Sequence, residues 1–343
     1  AYAVSTFSIA QFANGHTFFV QRLHQVTGLV PFMVHTTHQF ADTGTYPLGK
    51  RQRLREHLLW AVDPASYYEE GTFLTLRGPL LREEDVQHGG TSYPSFDPRR
   101  HMLIDSRQRT ALRDALALAR ALGSALVMPE LRCWCDRYWN RLRGCRYPTD
   151  RDLRFPFSCP MDHLFFLDKW DKAKLAFREA SFLNNSRVPA AVRESRVDVR
   201  VEPGVASPRW EDGHVLVVSE GACFDEIADS VRKRSTPVRV VQVETADLRR
   251  LCPWIGSSQA VDDFNRATSL ALHHTVRFCT EESLAGLPQG CPWGYRPPAA
   301  LPRTREAALA YPRTRPEGHV AEFSEPKQCH IDSSSPSLAY KCG

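Results

Sequence analysis

The sequence predicts an α/β protein in which a parallel sheet is covered by helices. Two strand–helix–strand runs carry that expectation. In the first, HMLI (His101–Ile104) precedes an Ala- and Leu-rich stretch, and ALVM (Ala125–Met128) follows it. In the second, HVLVVS (His214–Ser219), CFDEIADSVRKR and VRVVQV (Val238–Val243) repeat the order. Strands joined through a helix run parallel. A sheet of such strands is covered on both faces by helices, which suits the buried-type run HVLVVS.

In chain order, Thr17–Val20 and Pro31–Val34 read as short strands between polar loops. His35 follows the second. A Gly-containing loop then leads to GKRQRLRE, where Lys50, Arg51, Arg53 and Arg55 fall close together. DPASYYEEGTFLTL reads as a loop and a further strand. Residues 80–100 are rich in Gly, Pro, Ser and charge and read as a linker. From Arg107 to Leu122 the apolar positions 112, 115, 116, 119 and 122 keep helical spacing, and Ala and Leu are strong helix formers. Gly123 ends that helix and Pro129 stops the strand after it. From residue 288 the chain is Pro-rich and polar, with PRTR at Pro302 and again at Pro312, and reads as a tail with little structure. These features divide the chain into 1–60, a connecting segment 61–100, an α/β domain 101–287 and a tail 288–343.

Of 343 residues, 42% are hydrophobic and 24% charged, the balance of a globular protein. The net charge of +5 is mild and its cations are spread out, which suits an anionic small molecule and argues against nucleic acid. No apolar run approaches the ~20 residues of a membrane span. AYAVSTFSIAQF has no initiator Met or signal core, so the chain reads as a processed or truncated piece.

In α/β proteins ligands sit beyond the carboxyl ends of strands. His35 follows a strand. A neutral imidazole there can bind a divalent metal, and a nearby lysine can neutralise a diphosphate. The plainer reading makes His35 a hydrogen-bonded structural residue and KRQRLRE the solvated first turn of a helix. LVMPELRCWCDRYW places Pro129, Glu130, Arg132 and Asp136 just past a strand end, either as a ligand site or as surface loop. CPMDH brings Asp162 and His163 together; without a third partner it reads as a structural turn rather than a catalytic dyad. The literal D-x-D at Asp150–Asp152 follows a Tyr-Pro-Thr loop with no buried strand before it, and is not read as a metal site. Ten cysteines, with Cys133 and Cys135 too close together and the rest scattered, do not make a zinc site. They are disulfides of a secretory compartment or buried thiols. The sequon Asn184-Asn185-Ser186 is of a kind common by chance.

GHTFFVQRLHQ, PFMVHTTHQF and GKRQRLRE resemble the end of the nucleotide-diphospho-sugar transferase domain of glycosyltransferase family 77. DPASYYEEG, RTALRDALALARALGSALVMPELRCWCDRYW, FPFSCPMDH and SFLNNSRVPAAVRESRVDV are similar, in the same order, to the region downstream of that domain. The resemblance implies that 1–60 is the end of a GT-A-type domain, followed by a second Rossmann-like α/β domain with a parallel sheet. It implies a retaining arabinosyltransferase that uses UDP-β-L-arabinofuranose with Mn2+ and extends arabinose chains on hydroxyproline-rich cell-wall glycoproteins such as extensin. The implied parent is a type II Golgi membrane protein, its membrane anchor upstream of this chain, and a Golgi lumen favours disulfides. His35 in VHTT would complete the metal shell, and Lys50 and Arg51 in GKR would lie on the donor diphosphate side. His16 in GHTFF matches a block of the family but reads as structural. The acidic D-x-D strand of such enzymes would lie upstream of Ala1, so the chain reads as a fragment whose catalytic residue is unknown. Two alternatives stand beside this. One is a non-catalytic α/β module that binds the acceptor or a partner transferase. The other is a fucosyltransferase-like enzyme, whose Rossmann domains the LVMP region resembles.

Overall fold

The computed structural model describes residues 5–37, 47–82, 98–133, 153, 156–272, 298–314, 329–331 and 340–342. Near the start, β1 (Phe12–Asn14) and β2 (Met33–His35) pair in parallel, with Asn14 opposite His35. Phe7, Ile9, Val30 and Phe32 around this pair are exposed. Between the two strands, His16–Val20 forms a π-helical turn instead of the expected strand. Thr17, Phe18, Phe19 and Val20 are all buried, so the run has no alternation, and a short unbroken apolar run does not distinguish a strand from a buried helical turn. α1 (Leu23–Thr27) follows, and after β2 comes α2 (Leu48–Glu56), which carries GKRQRLRE.

The body of the protein is a seven-stranded sheet, α/β and mostly parallel as the apolar runs predict. Its strands are β3 (Phe73–Arg77), β4 (Ala125–Val127), β7 (Phe177–Arg178), β8 (Arg196–Glu202), β9 (Arg209–Glu211), β10 (Val215–Ser219) and β11 (Val240–Glu244). A separate antiparallel pair, β5 (Arg132–Cys133) and β6 (Phe157–Ser158), flanks it. The order across the large sheet is β7-β4-β3-β11-β8-β10-β9, and only β9 runs antiparallel to its neighbour. The chain winds from β3 out to β7 on one side and from β8 out to β10 on the other. β11 then returns to the centre.

The helix before β4 is longer than expected. α3 (Pro98–Leu122) takes in His101–Ile104, the segment read as a strand. Asp105 and Ser106 after HMLI do not break a helix, so it continues through all of it. The strand that leads into α3 is β3, within the segment read as connecting, and the first strand–helix–strand unit is β3–α3–β4. Most of the linker read at 80–100 lies outside the described residues; Leu80 and Leu81 are buried and residues 98–100 belong to α3.

Leu112, Ala115, Leu116 and Ala119 of α3 enter the main core, and its buried Arg109 is paired. Arg109 donates to Asp105 (2.7 Å), to Leu164 O (2.6 Å) and to Leu272 O (2.8 Å), and lies over the Phe165 ring. α4 (Met161–Leu164), α5 (Phe224–Arg232) and α6 (Ser258–Leu272) complete the layers described here. In the Pro-rich tail, α7 (Arg305–Thr314) forms where REAALAY supplies helix formers, and Ala308 and Tyr311 are buried. Cys329–Ile331 and Tyr340–Cys342 pair antiparallel. Within the tail, the described residues 298–314 thus hold a helix where the composition suggested little structure. Disulfides join Cys133 to Cys159 and Cys223 to Cys252. Among the described residues no helix is long and apolar enough to cross a membrane.

Candidate functional site: a cleft at the ends of β4 and β7

At the centre of the sheet the carboxyl end of β3 is closed, because Thr245 Oγ1 donates to Arg77 O and Gly78 O at 3.1 Å. The carboxyl ends of β4 and β7 are open. There a cleft of about 220 Å³ is lined by Met128, Pro129, Glu130 and Leu131 after β4 and by Ala180 after β7. Its facing wall is Arg22 and Gln25 from α1 and its approach, and Glu56 and His57 at the end of α2. Ser158, Cys159, Pro160 and Met161 close the remaining side.

This wall is set by a buried ion pair behind it. Arg53 of α2 donates through Nε to both carboxylate oxygens of Asp162 (2.8 Å each) and through Nη2 to Oδ2 (2.6 Å). The side chains are 0% and 1% exposed. One turn further on, Glu56 Oε1 accepts from Gln52 Nε2 and from the backbone N–H of Met161, both at 3.1 Å. The ion pair and the Met161 N–H bond thus clamp the end of α2 onto the segment that opens α4. Beside them, the Cys133–Cys159 disulfide fixes the loop that carries Ser158 and Cys159.

The electrostatics of the cleft follow from this packing. Burial first, and the Asp162 carboxylate second, push the Glu56 carboxyl up to about 8, so it carries its proton at neutral pH. Burial pushes His57 down to about 4, so its imidazole is neutral. His57 Nδ1 lies 3.0 Å from Arg53 O, which assigns the proton to Nδ1 and leaves Nε2 as an acceptor. Arg22 has φ +51, a left-handed conformation that L-residues rarely adopt. Its Nε is buried with no hydrogen-bond partner among the described residues. On the rim, Glu130 and Arg132 pair at 2.7 Å.

Of the residues singled out from the sequence, Pro129 and Glu130 line this cleft, and Arg132 reaches it only through its pair with Glu130. His35 is exposed at the end of β2, and Lys50 and Arg51 are half-buried in the first turn of α2. The charge of Arg51 acts on Asp63, which is held below its usual range despite burial, chiefly by the Arg55 ion pair. KRQRLRE is helical, as the plainer reading has it, but Gln52 and Arg53 are buried, not solvated. Asp162 is the partner of Arg53, and His163 is buried against Phe157, which supports the structural-turn reading of CPMDH. Asp136 and Asp150–Asp152 lie outside the described residues. Among those described, no three His, Cys, Asp or Glu side chains gather closely enough to hold a metal ion. His35 and its described neighbours therefore do not make up a manganese shell by themselves. Arg22, Glu56 and His57 were not anticipated. Glu56 closes the GKRQRLRE block, one turn from Arg53, but its partner Met161 is 105 residues away.

Over 199 residues, 55% of this chain, the sequence is 36% identical to arabinosyltransferase XEG113 of Arabidopsis thaliana. The match spans 29% of the length of that protein. No family model matches the chain, and no solved structure matches it.

Proposed function

We propose that this chain is part of a retaining glycosyltransferase. It transfers arabinofuranose from UDP-β-L-arabinofuranose to arabinose chains on hydroxyproline-rich cell-wall glycoproteins. The observation that carries this reading is the 36% identity to an arabinosyltransferase, and the open strand ends of an α/β sheet are consistent with it. On this reading residues 1–60 are the end of a GT-A-type donor domain, and Lys50 and Arg51 lie beside the donor diphosphate. Departing UDP gains negative charge in the transition state, and fixed cations next to it lower the barrier. His35 would give one imidazole to a Mn2+ ion bound with the donor, with the other ligands coming from outside the described residues. A Golgi lumenal setting, in a type II membrane protein, agrees with the two disulfides and with an exposed Asn184 in the sequon.

The test uses the chain and a longer form of the polypeptide that carries it. UDP should be released from UDP-arabinofuranose with Mn2+ and much less with EDTA. His35→Ala should weaken Mn2+ binding, read by electron paramagnetic resonance, without lowering Tm. Lys50→Ala should leave Mn2+ binding intact and lower kcat. Turnover of GDP-fucose alone would overturn the donor assignment. Wild-type kinetics and Mn2+ binding in both variants would overturn the assigned site.

A further inference from the structure

We propose that the cleft at the carboxyl ends of β4 and β7 binds a neutral, hydroxyl-rich sugar ring, one glycosyl unit of an acceptor oligosaccharide. The class of ligand stands on the cleft alone; the word acceptor rests on the function proposed above.

Size is the first argument. At about 220 Å³ the cleft falls below the roughly 300 Å³ at which pockets for drug-sized ligands begin. It admits a single small ring but not a nucleotide diphosphate with its sugar.

Charge is the second. A diphosphate site gathers cations, whereas here the Arg22 guanidinium faces the Glu130 carboxylate, which is itself paired with Arg132. His57 is neutral and Glu56 is protonated. What remains is a set of hydrogen-bonding groups of both senses. Arg22 Nε is a buried donor without a partner, Ser158 and Gln25 both donate and accept, and His57 Nε2 accepts. Both hydrogen bonds that Glu56 accepts fall on Oε1, which leaves Oε2 for its proton. Hydroxyl groups, each a donor and an acceptor, complement such a set.

The apolar part of the lining is the third. Met128, Leu131 and Met161 offer a surface to the C–H face of a ring. The site is also held in shape before any ligand arrives. The buried Arg53–Asp162 pair lies behind it and the Cys133–Cys159 disulfide beside it, which reduces the ordering that binding requires. The left-handed backbone at Arg22 belongs to the same arrangement, since strained conformations persist where the surroundings hold them and cluster at binding sites.

The experiment uses the intact oxidised chain with arabinotriose, maltotriose and UDP as probes, followed by saturation-transfer NMR and calorimetry. Two variants address the cleft without touching the core. Arg22→Gly removes the guanidinium at a φ that glycine adopts freely, and Ala180→Trp obstructs the mouth from an exposed position. Arabinotriose should bind the wild-type chain, both variants should weaken it at least tenfold with Tm preserved, and UDP should not displace it. No binding of either neutral oligosaccharide at about 10 mM would overturn the proposal. So would displacement of the sugar by UDP, or wild-type affinity in both variants. Binding of maltotriose but not arabinotriose, abolished by both variants, would uphold the sugar cleft and sink the arabinosyl acceptor proposed for the parent enzyme.

Discussion

Glu56→Gln takes an ionisable group out of the cleft and leaves its shape unchanged. Glutamine keeps an oxygen where Gln52 Nε2 and Met161 N–H donate, so both 3.1 Å hydrogen bonds survive. The native carboxyl is raised from 4.5 to about 8 by burial and by Asp162, against a smaller opposing pull from Arg53, and Arg22 also senses its charge. In the unfolded chain the same carboxyl ionises at its ordinary value. Between those two pH values the folded state therefore holds more protons than the unfolded one. The stability this group contributes is full below about pH 4.5 and is lost as pH rises through about 8. At about 1.4 kcal/mol for each tenfold change in proton affinity, the loss is bounded at ~5 kcal/mol. Urea unfolding of both proteins at pH 5, 6, 7 and 8 measures it. Every other group titrates in both proteins, so the difference between them isolates Glu56. The variant's stability relative to the native chain should rise by about 3.5 kcal/mol between pH 5 and pH 8. A difference that stays constant across the range would refute the reasoning and remove the proton-bearing carboxyl from the cleft.

Two further outcomes concern the supports of that wall. Asp162→Ala should destabilise the fold by about 3–5 kcal/mol in denaturant titrations, because it strands a guanidinium with no exposed surface. The double variant Arg53→Met, Asp162→Leu should recover most of the loss; a double variant as unstable as the single one would show that packing, not charge, is at stake. Cys133→Ser opens a loop with a sequence separation of 26, and chain entropy alone puts its effect at about 3.5 kcal/mol of stability. An unchanged unfolding midpoint would mean that the loop is already held by its other contacts.

The class of the fold was legible because β4 and β10 are buried and show it as unbroken apolar runs. The boundaries were less so. HMLI is apolar enough to pass for a strand, but nothing after it stops a helix, and α3 runs through it. Thr17–Val20 lacks any alternation, so its length was the only guide. β8 is an inner strand with a polar pattern, Arg-Val-Asp-Val-Arg-Val-Glu, and its charges are answered from other strands: Asp198 accepts from Gln242 of β11 at 2.9 Å, and Arg200 meets Glu211 of β9, two strands away, at 3.2 Å. A pattern read one strand at a time does not show such partners. The cleft was hidden for a related reason. Glu130 could be placed from the strand before it, since chain direction fixes which end of a parallel strand opens to ligands. Arg22, Glu56 and Ser158 converge on it from distant parts of the chain, and no local spacing encodes that meeting.

The stitching of α2 to the far half of the chain bears on how this polypeptide can be cut and recombined. Arg53 reaches 109 residues forward to Asp162, and Ser181 Oγ donates back to Arg55 O. A truncation starting after residue 60 would leave the Asp162 carboxylate buried without its counterion and the Met161 N–H without its acceptor. The first sixty residues are therefore not a detachable cassette. Exchanging them between related chains should succeed only when the receiving half brings its own aspartate to meet the incoming arginine, so the two halves are free to diverge only in step.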